Sequence, residues 1–563
     1  MSNATTGADN LTGVTPDTGL KIGASDASGP MLAADGTPLK TSLNRALRKQ
    51  KMRALALIAP LLIFILVTFI YPIGEMLFRS VENDIVGDTL PRTVRVLADW
   101  DSAQDPVPDQ EVFSALTKDM MIASEEKNHT RLGSRLNYET PGISSLFRKS
   151  GRRVDDFGEV YTEQFVDLDP AWEDPMTFVA LFADETWIEE DAEYDGEGRR
   201  PRFRLRDGVG DVLPQTASIY RDFARFTQTE DDDSPTEEEP WNAVYLALYE
   251  DLSAQPDLPA DLPNVELLGQ ARGAVGAFET EDLQAAFVDV DDDWASTNVW
   301  ETIQQYSAPY TTGYFLNAID MQNTPDGVDW RPESEQIYLT LFIRTMVMST
   351  IITVSCILLG YPIAWLLANL PASKANLLMI LVLLPFWTSL LVRTSAWKAL
   401  LQNQGVINDL AVWIGIVSDA NRLSLINNAT GTVIAMTHIL LPFMILPLYS
   451  VMKTIPPSYL RAAKSLGATN ITAFRRVYFP QSVPGIGAGS ILVFILSIGY
   501  YITPEIVGGT KGVFISNRIA YHISTSLNWG LAAALGSILL AVVLLLYWCY
   551  DRIVGIDNVK LGG

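Results

Sequence analysis

The chain has 563 residues, a formal net charge of −25, two cysteines and three histidines. Because disulfide frameworks need several paired cysteines and structural zinc sites need clustered Cys and His, this composition argues against both. The two cysteines, Cys356 and Cys549, fall in apolar stretches, so the polar part of the chain has none to pair. Hydrophobic residues make up 48% of the chain, an average that hides long apolar runs beside one very acidic segment.

Six apolar stretches are each long enough to cross a bilayer, whose hydrocarbon core of about 30 Å needs roughly 20 helical residues. A buried helix of a soluble protein rarely stays apolar on all sides for that length. The first stretch starts more than 50 residues into the chain and has no small-x-small cleavage site after it, so we expect a retained anchor. The fold class predicted is an all-α polytopic membrane protein with six transmembrane helices, at approximately residues 54–77, 337–369, 377–400, 429–452, 484–501 and 529–550.

The segments that flank the first stretch predict its orientation. Residues 1–39 are rich in small and polar residues without periodicity and are expected to form a disordered cytoplasmic tail. Residues 40–53 hold six basic residues and no acid, which favours the cytoplasmic side; a lipid or partner site is the alternative reading. Six spans then place both termini inside, together with the loop 453–483, whose five basic residues again have no acid among them.

Residues 80–336 form an acidic insertion between the first two spans, with 56 acidic and 19 basic residues, a net charge of −37. The insertion is large enough to be a domain and has seven tryptophans for a core. Apolar spacing predicts helices at 174–190 and 241–252, and alternation predicts a strand at 201–207, so a mixed extracytoplasmic domain is expected.

The acidic runs of the insertion, 231–233, 237–239 and 289–293, are interpreted as solvated loops. They lack the glycine and trailing glutamate of an EF-hand calcium loop, and no metal site is predicted. Attraction of a cationic substrate is the alternative that their charge leaves open.

The loop at 457–486 is the most informative cytoplasmic segment. Residues 458–466 and 468–477 are each expected to form a short helix, separated by Gly467, which can adopt a positive φ. Pro480 and Pro484 are expected to set the start of the next span. Such an elbow has a suitable shape for docking in a partner's groove, but an ordinary hairpin between spans fits the same residues.

The loop resembles the signature of permease subunits of ATP-binding-cassette importers, which has Glu-Ala-Ala, three residues, Gly, and later Leu-Pro with Pro-Gly. The matching positions here are Arg461, Ala462, Ala463, Gly467, Phe479, Pro480, Pro484 and Gly485. The resemblance implies that the elbow is the coupling helix that sits in a cleft of the ATPase subunit. Arg461 stands where the family has Glu, so a contact made by that Glu is absent or reversed. The coupling surface is expected to comprise Tyr459, Arg461, Ala462, Ala463, Gly467, Ala468, Phe474, Pro480, Pro484 and Gly485.

Further motifs resemble the spermidine/putrescine branch of these permeases, over about residues 54–79 and 335–563; they lie at 359–364, 384–394, 441–449 and 503–509. The resemblance implies a type I importer permease in the bacterial inner membrane, working by alternating access on polyamines or a similar small solute. The implied partners are ATPase subunits, a second permease, an extracytoplasmic substrate-binding protein and membrane lipid, with no nucleic acid. The chain has no G-x-x-x-x-G-K-[ST] loop, so it is expected to be no enzyme and to bind no cofactor, ATP being held by the partner.

Ionisable and aromatic residues in the spans are candidates for the translocation pathway. His438 lies near the middle of the fourth span, with a packing histidine as the alternative. Glu505, at the outer end of the fifth, together with Tyr500, Tyr501 and Trp387, would suit an ammonium-bearing substrate through charge and cation–π contacts. An interfacial aromatic belt with a capping acid is the other reading.

Two other classes of protein fit the sequence less well. A membrane-anchored receptor or sensor would use the acidic ectodomain to bind a ligand or partner, but the inside segments are too short for a signalling domain. A membrane enzyme lacks support, because His129, His438 and His522 form no evident constellation with a nucleophile or a metal.

Overall fold

A computed structural model describes residues 39–554 apart from 197, 231, 325 and 326, so all but the last residue of the tail predicted at 1–39 lies outside the described residues. The chain divides into two units, residues 1–74 and 75–563. In the first, a helix at Leu39–Ile65 contains the basic stretch and continues through a π-helical turn at Leu66–Ile70. Large apolar side chains between Met52 and Ile73 are exposed, as expected for a helix that faces lipid or a partner.

The insertion is far more helical than the sequence predicted. Among its described residues the only paired strands are Met321–Thr324 and Gly327–Trp330, an antiparallel hairpin. The α-helices are Ile85–Thr89, Pro91–Leu97, Gln110–Glu125, Asn128–Leu136, Ile143–Ser150, Glu159–Leu168, Pro175–Phe182, Glu185–Ala192, Val209–Val212, Pro214–Thr229, Asn242–Ser253, Val265–Ala274, Leu283–Val290, Thr297–Gln305 and Gly313–Ala318, with 3₁₀ turns at Val154–Asp156, Pro170–Trp172, Val275–Ala277 and Asp292–Ala295.

Two local predictions in the insertion need correction. The strand expected at 201–207 is only an isolated bridge between Ala183 and Leu205. The helix expected at 174–190 is two helices, because the chain is extended at Ala183 and Asp184 caps the second with its side chain. The helix expected at 241–252 is confirmed as Asn242–Ser253.

Tryptophans form the centre of the insertion's core, as their number suggested. Trp172, Trp187, Trp294 and Trp300 are completely buried. The indoles of Trp294 and Trp300 lie 5.3 Å apart, and Trp300 meets Phe113 edge to face at 5.0 Å. Burial of large aromatic rings in such geometries stabilises a domain beyond the area that they remove from water.

Five helices among the described residues are long and apolar enough to cross a membrane, and one further pair is bent by 94°. The bent pair replaces the single helix predicted at 377–400, because residues 384–387 form a 3₁₀ turn with Pro385 at its start. In chain order, spans 1–6 are Gln50–Arg79, Tyr338–Asn369, the pair Ala372–Trp387 and Leu390–Leu400, Ala429–Thr454, Asn470–Gly499, and Trp529–Arg552. Shorter helices between them are Val406–Ile414, Asp419–Asn421, Pro457–Ser465, Ile502–Val507, Gly509–Gly512 and Ile515–Ser524.

Contacts between spans 2 and 4 show that the bent pair crosses the bundle. At one end, Lys453 donates to the carbonyl of Ala368 at 3.4 Å. At the other, Thr345 of span 2 accepts from the amide of Ile515, and Thr432 of span 4 donates to the nearby carbonyl of Gly512. Spans 2 and 4 are therefore parallel, and the segment that joins the end of one to the start of the other must traverse the bundle once.

The insertion and the elbow lie at opposite ends of this bundle. At the insertion-side end, Asp320 accepts from the backbone amides of Ile337, Tyr338 and Leu339 and so caps span 2. Span 6 starts against the insertion, since a Cβ on Gly530 would lie 2.4 Å from the ring of Tyr314. The insertion is thus joined to the bundle by buried side chains as well as by the chain.

Candidate functional site: the elbow and the insertion-side end of the bundle

The elbow starts with helix Pro457–Ser465, which ends in a Schellman motif. The amide of Ala468 donates to the carbonyl of Ala463, and that of Gly467 donates to the carbonyl of Lys464. Gly467 has φ of +90°, as the sequence predicted, and a Cβ there would meet nothing within 4 Å. The requirement for glycine is therefore conformational and not steric.

The second half of the elbow differs from the prediction. The expected short helix at 468–477 is the first part of span 5, which runs without interruption from Asn470 to Gly499. A π-helical turn at Phe474–Tyr478 accommodates the residues before Pro480, and Pro480 and Pro484 lie inside the helix. A movement of the elbow is consequently a movement of the end of span 5.

Two apolar side chains project from the tip of the elbow. Leu466 is 89% exposed and Ile471 is 79% exposed, which makes them the most exposed large apolar side chains of the elbow. The motif comparison missed both residues. Their signal in the sequence is an apolar residue directly before the glycine and another shortly after it, in a loop otherwise suited to water.

The predicted coupling residues differ in their exposure. Tyr459, Arg461, Ala462, Gly467, Phe474 and Pro480 are exposed, while Ala463, Ala468 and Pro484 are partly buried. Gly485 is buried, and a Cβ there would lie 3.0 Å from that of Val451 in span 4. Its part in the structure is close packing of spans 4 and 5.

Three of the predicted pathway residues are brought together near the insertion-side end. Asn517 donates to the carboxylate of Glu505 at 2.6 Å and to the carbonyl of Tyr501 at 2.9 Å. Ser516 donates to the carbonyl of Tyr500 at 3.1 Å. Asn517, which the sequence did not single out, therefore links the carboxylate of Glu505 to the backbone of Tyr501.

The other two pathway candidates lie elsewhere. The indole of Trp397 donates to Nδ1 of His438 at 3.1 Å, and His438 lines a cavity of about 300 Å³ that is otherwise apolar. Trp387 lies at the bend of span 3 and is 73% exposed. Among the hydrogen bonds of the described residues, none joins His438 or Trp387 directly to Glu505.

The candidate spans thus form a helical bundle with a glycine-containing elbow at one end and polar and aromatic residues at the other. Residues 357–555 match the family described as binding-protein-dependent transport system inner membrane component. The chain belongs to this family, because its matched segment covers more than two thirds of the length of relatives that are over 30% identical to it.

The spermidine/putrescine transport system permease protein PotB of Escherichia coli (strain K12) is 34% identical over 222 residues, which are 39% of this chain and 80% of that protein. The inner membrane ABC transporter permease protein YdcU of the same organism is 32% identical, over 38% of this chain and 71% of its own. These relatives confirm the resemblance that the motifs indicated. The molybdenum transport system permease protein ModB of Mycobacterium bovis is 29% identical, over 42% of this chain and 88% of that protein.

A crystal structure of a bacterial alginate ABC transporter, in complex with an alginate pentasaccharide-bound periplasmic protein, is also similar. It is 16% identical, covers 40% of this chain and 81% of that chain, and gives a TM-score of 0.33. The sequence relatives, and not this likeness, carry the family assignment.

Proposed function

We propose that this chain is the permease subunit of an ATP-driven importer that carries polyamines, or a similar small solute, by alternating access. Membership of the family supports the transport role over the receptor role. Similarity to PotB proteins supports the polyamine. A molybdenum permease is similar as well, so the choice between these solutes has to be measured directly.

The observation that carries the coupling role is the apolar tip of the elbow. Leu466 and Ile471 are exposed at the end of the bundle opposite the insertion. A monomeric surface gains nothing by presenting two such side chains to water, whereas an interface gains about 1.5–3 kcal/mol for each one that it buries fully. The basic residues Arg461, Lys464, Arg475 and Arg476 surround the tip, so the partner's cleft should be acidic.

The complete transporter would contain two ATPase subunits on the elbow side, a second permease beside the spans, and a substrate-binding protein on the insertion side. ATP is bound and hydrolysed by the ATPase subunits and not by this chain. The basic elbow then faces the cytoplasm, together with both termini, and residues 80–336 face the extracytoplasmic side of the inner membrane.

The substrate class rests on Glu505 and its aromatic neighbours. Glu505 is exposed at the insertion-side end, and Asn517 occupies one of its carboxylate oxygens. The second oxygen remains available for an ammonium group, which the rings of Tyr500 and Tyr501 would also favour. An oxyanion such as molybdate would meet repulsion at this carboxylate.

The test is ATP hydrolysis by the assembled complex, stimulated by the substrate-loaded binding protein. Leu466→Asp and Ile471→Asp should each lower the stimulated rate at least tenfold, because a charge would be buried in the ATPase cleft. Val328→Asp, on the exposed hairpin of the insertion, is the matched control and should leave the rate unchanged.

Two results would contradict the proposal. Normal stimulation of ATP hydrolysis in both elbow variants would show that Leu466 and Ile471 do not couple the permease to the ATPase. Stimulation by molybdate, but not by spermidine or putrescine, would show that polyamines are not the substrate and would leave the coupling role intact.

A further inference from the structure

The short helix Val406–Ile414, in the connection between spans 3 and 4, has an apolar face that the rest of the described chain leaves uncovered. Four large apolar residues recur there at the spacing of one helical face, and Ile416 follows just after the helix; the four are Val406, Leu410, Trp413 and Ile414. Trp413 is 82% exposed, and the others are each more than half exposed. Since a surface in water rarely exposes so many large apolar side chains together, this face should be covered in the native environment of the protein.

The opposite side of the helix is attached to the chain through Asn408, which is completely buried. Its Nδ2 donates to the carbonyls of Gln402 and Leu423, and its Oδ1 accepts from the amide of Leu423 at 2.9 Å. These three hydrogen bonds fix the rotation of the helix about its own axis. The apolar face therefore points away from the segment that leads to span 4.

A group of ion pairs lies at the border between the two sides of the helix. Asp409 pairs with Arg422 at 2.6 Å, and Arg422 also pairs with Asp419 at 2.7 Å. The side chains of both aspartates are well exposed, so this border suits contact with water. The helix is thus amphipathic, with charges beside an apolar face that carries none.

The start of the helix shows its level relative to the spans. A Cβ on Gly405 would lie 2.6 Å from the carbonyl oxygen of Leu400 and 2.7 Å from that of Ala399, so the chain turns directly against the last carbonyls of span 3. Lys398, in the last turn of that span, is exposed. Because lysines at the ends of spans reach towards headgroups, the helix begins near the boundary between acyl chains and headgroups.

The composition of the face favours lipid over a second protein as the occupant. Interfaces between proteins normally include several groups that hydrogen-bond across them, whereas the only polar group of these four side chains is the indole N–H of Trp413. A tryptophan among aliphatic residues on one side of an amphipathic helix is typical of helices that lie in the membrane interface. Exposed apolar side chains also precede the turn, at Leu391 and Val392 of span 3.

We propose that helix Val406–Ile414 lies in the plane of the membrane, in the leaflet on the insertion side, with its apolar face among the upper parts of the acyl chains. The partner is a lipid surface and not a single bound lipid. Through Gly405 and Asn408, the helix holds the end of span 3 and the segment before span 4 at one depth in the bilayer. The proposal requires that the chain spans a membrane, but it depends neither on the solute nor on the elbow.

The test is the depth of a spin label in the assembled transporter, reconstituted in nanodiscs of phosphatidylethanolamine and phosphatidylglycerol. Leu410→Cys and Ile414→Cys, each in a chain with Cys356 and Cys549 replaced by alanine, place the label on the apolar face. Ser418→Cys, at an exposed polar position of the same connection, is the matched control. Oxygen concentrates among acyl chains and a nickel chelate stays in water, so the ratio of their collision rates should be about threefold higher at 410 and 414 than at 418.

Two results of this measurement would overturn the proposal. Equal ratios at the three positions would show that the face lies in water. Low collision rates with both reagents and an immobilised spectrum at 410 and 414 would show that another protein chain covers the face. The measurement uses neither ATP nor solute, so its outcome is independent of whether the transport function is correct.

A pair of variants at Trp413 tests whether the face itself holds the helix in the membrane. With the label at 410, Trp413→Asp should lower the ratio to that of position 418, because a carboxylate is costly among acyl chains, whereas Trp413→Phe should retain the higher ratio. The side chain of Trp413 is exposed, so neither change removes packing from the folded chain. A ratio that Trp413→Asp leaves unchanged would overturn the anchoring role of the face, since Asn408 would then be sufficient to hold the helix.

Discussion

The shape of the elbow depends on the backbone conformation of one residue, Gly467. Its φ of +90° allows the two hydrogen bonds that end helix Pro457–Ser465, and side chains with a Cβ resist this conformation. Because no atom lies within 4 Å of the position of a Cβ, a substitution tests the backbone alone.

Gly467→Val should strain the elbow by about 1–3 kcal/mol and abolish ATP hydrolysis that is stimulated by transport. Gly467→Asn is the matched variant, since asparagine tolerates positive φ, and it should retain most of the stimulated rate. The measurement is hydrolysis by the assembled complex with loaded binding protein. Equal activity of the two variants would show that the hinge does not need a left-handed residue.

His522 joins the insertion-side helix Ile515–Ser524 to span 2. Its Nε2 lies 3.0 Å from the hydroxyl of Tyr338, and its Nδ1 lies 2.8 Å from that of Ser526. Burial, and to a smaller extent Arg518, lowers the pKa of His522 to about 4. The rings of Tyr138 and Tyr521 complete its surroundings, so no carboxylate among these neighbours compensates a charge on the imidazole.

A histidine whose pKa is lower when folded stabilises the native state fully above its unfolded value of about 6.5, and this contribution is lost as the pH falls towards 4. The thermal midpoint of the natural chain should therefore fall between pH 7 and pH 4 by more than that of His522→Gln. Carboxylates that titrate in the same pH range contribute to both profiles, so the difference between the two proteins reports the titration of His522. Parallel pH profiles for the two would contradict a neutral, buried His522.

At the scale of the helices, glycines set how closely the spans approach. Span 5 runs antiparallel to span 4, with Gly485 against Val451 and Gly489 against Met444. A Cβ on Gly489 would lie 2.6 Å from the sulfur and 3.2 Å from the carbonyl oxygen of Met444. In a bilayer, where packing and not the hydrophobic effect drives helix association, such close contacts carry the assembly.

Gly489→Ala should lower the stability of the solubilised transporter by about 1–3 kcal/mol through overpacking. Gly499→Ala is its control in the same span, because a Cβ there meets nothing within 4 Å and alanine favours a helix. Thermal unfolding of the two variants in the same detergent makes the comparison. A Gly489→Ala variant as stable as the control would mean that span 4 shifts to accept the methyl group.

At the scale of the whole molecule, the bundle separates the insertion from the elbow. The insertion caps span 2 through Asp320 and packs Tyr314 against span 6. Deleting residues 80–336 would therefore damage the bundle and could not isolate a docking role for the insertion. A test of orientation has to leave these contacts in place.

Single cysteines at Val328 and Leu466, in a chain with Cys356 and Cys549 replaced by alanine, provide such a test. Both positions are more than half exposed, one on the hairpin of the insertion and one at the tip of the elbow. An impermeant maleimide should label Val328→Cys in cells with a permeabilised outer membrane, and Leu466→Cys only after the inner membrane is opened. The reverse pattern would invert the proposed topology.

The sequence by itself determined the class of membrane protein, the apolar stretches that form the candidate spans and the place of the elbow along the chain. These features depend on composition along one segment, on runs of about 20 apolar residues and on a glycine between two helical stretches. All of them can be recognised from residues that are close together in the sequence. The bounds of spans 2, 4 and 6 were accordingly close to those observed, and Gly467 has the predicted conformation.

Only the tertiary structure decided the bend of span 3, the extension of span 5 into the elbow and the hydrogen-bond partners of His438 and Glu505. Each depends on partners distant in the sequence, such as Trp397 for His438 and Asn517 for Glu505.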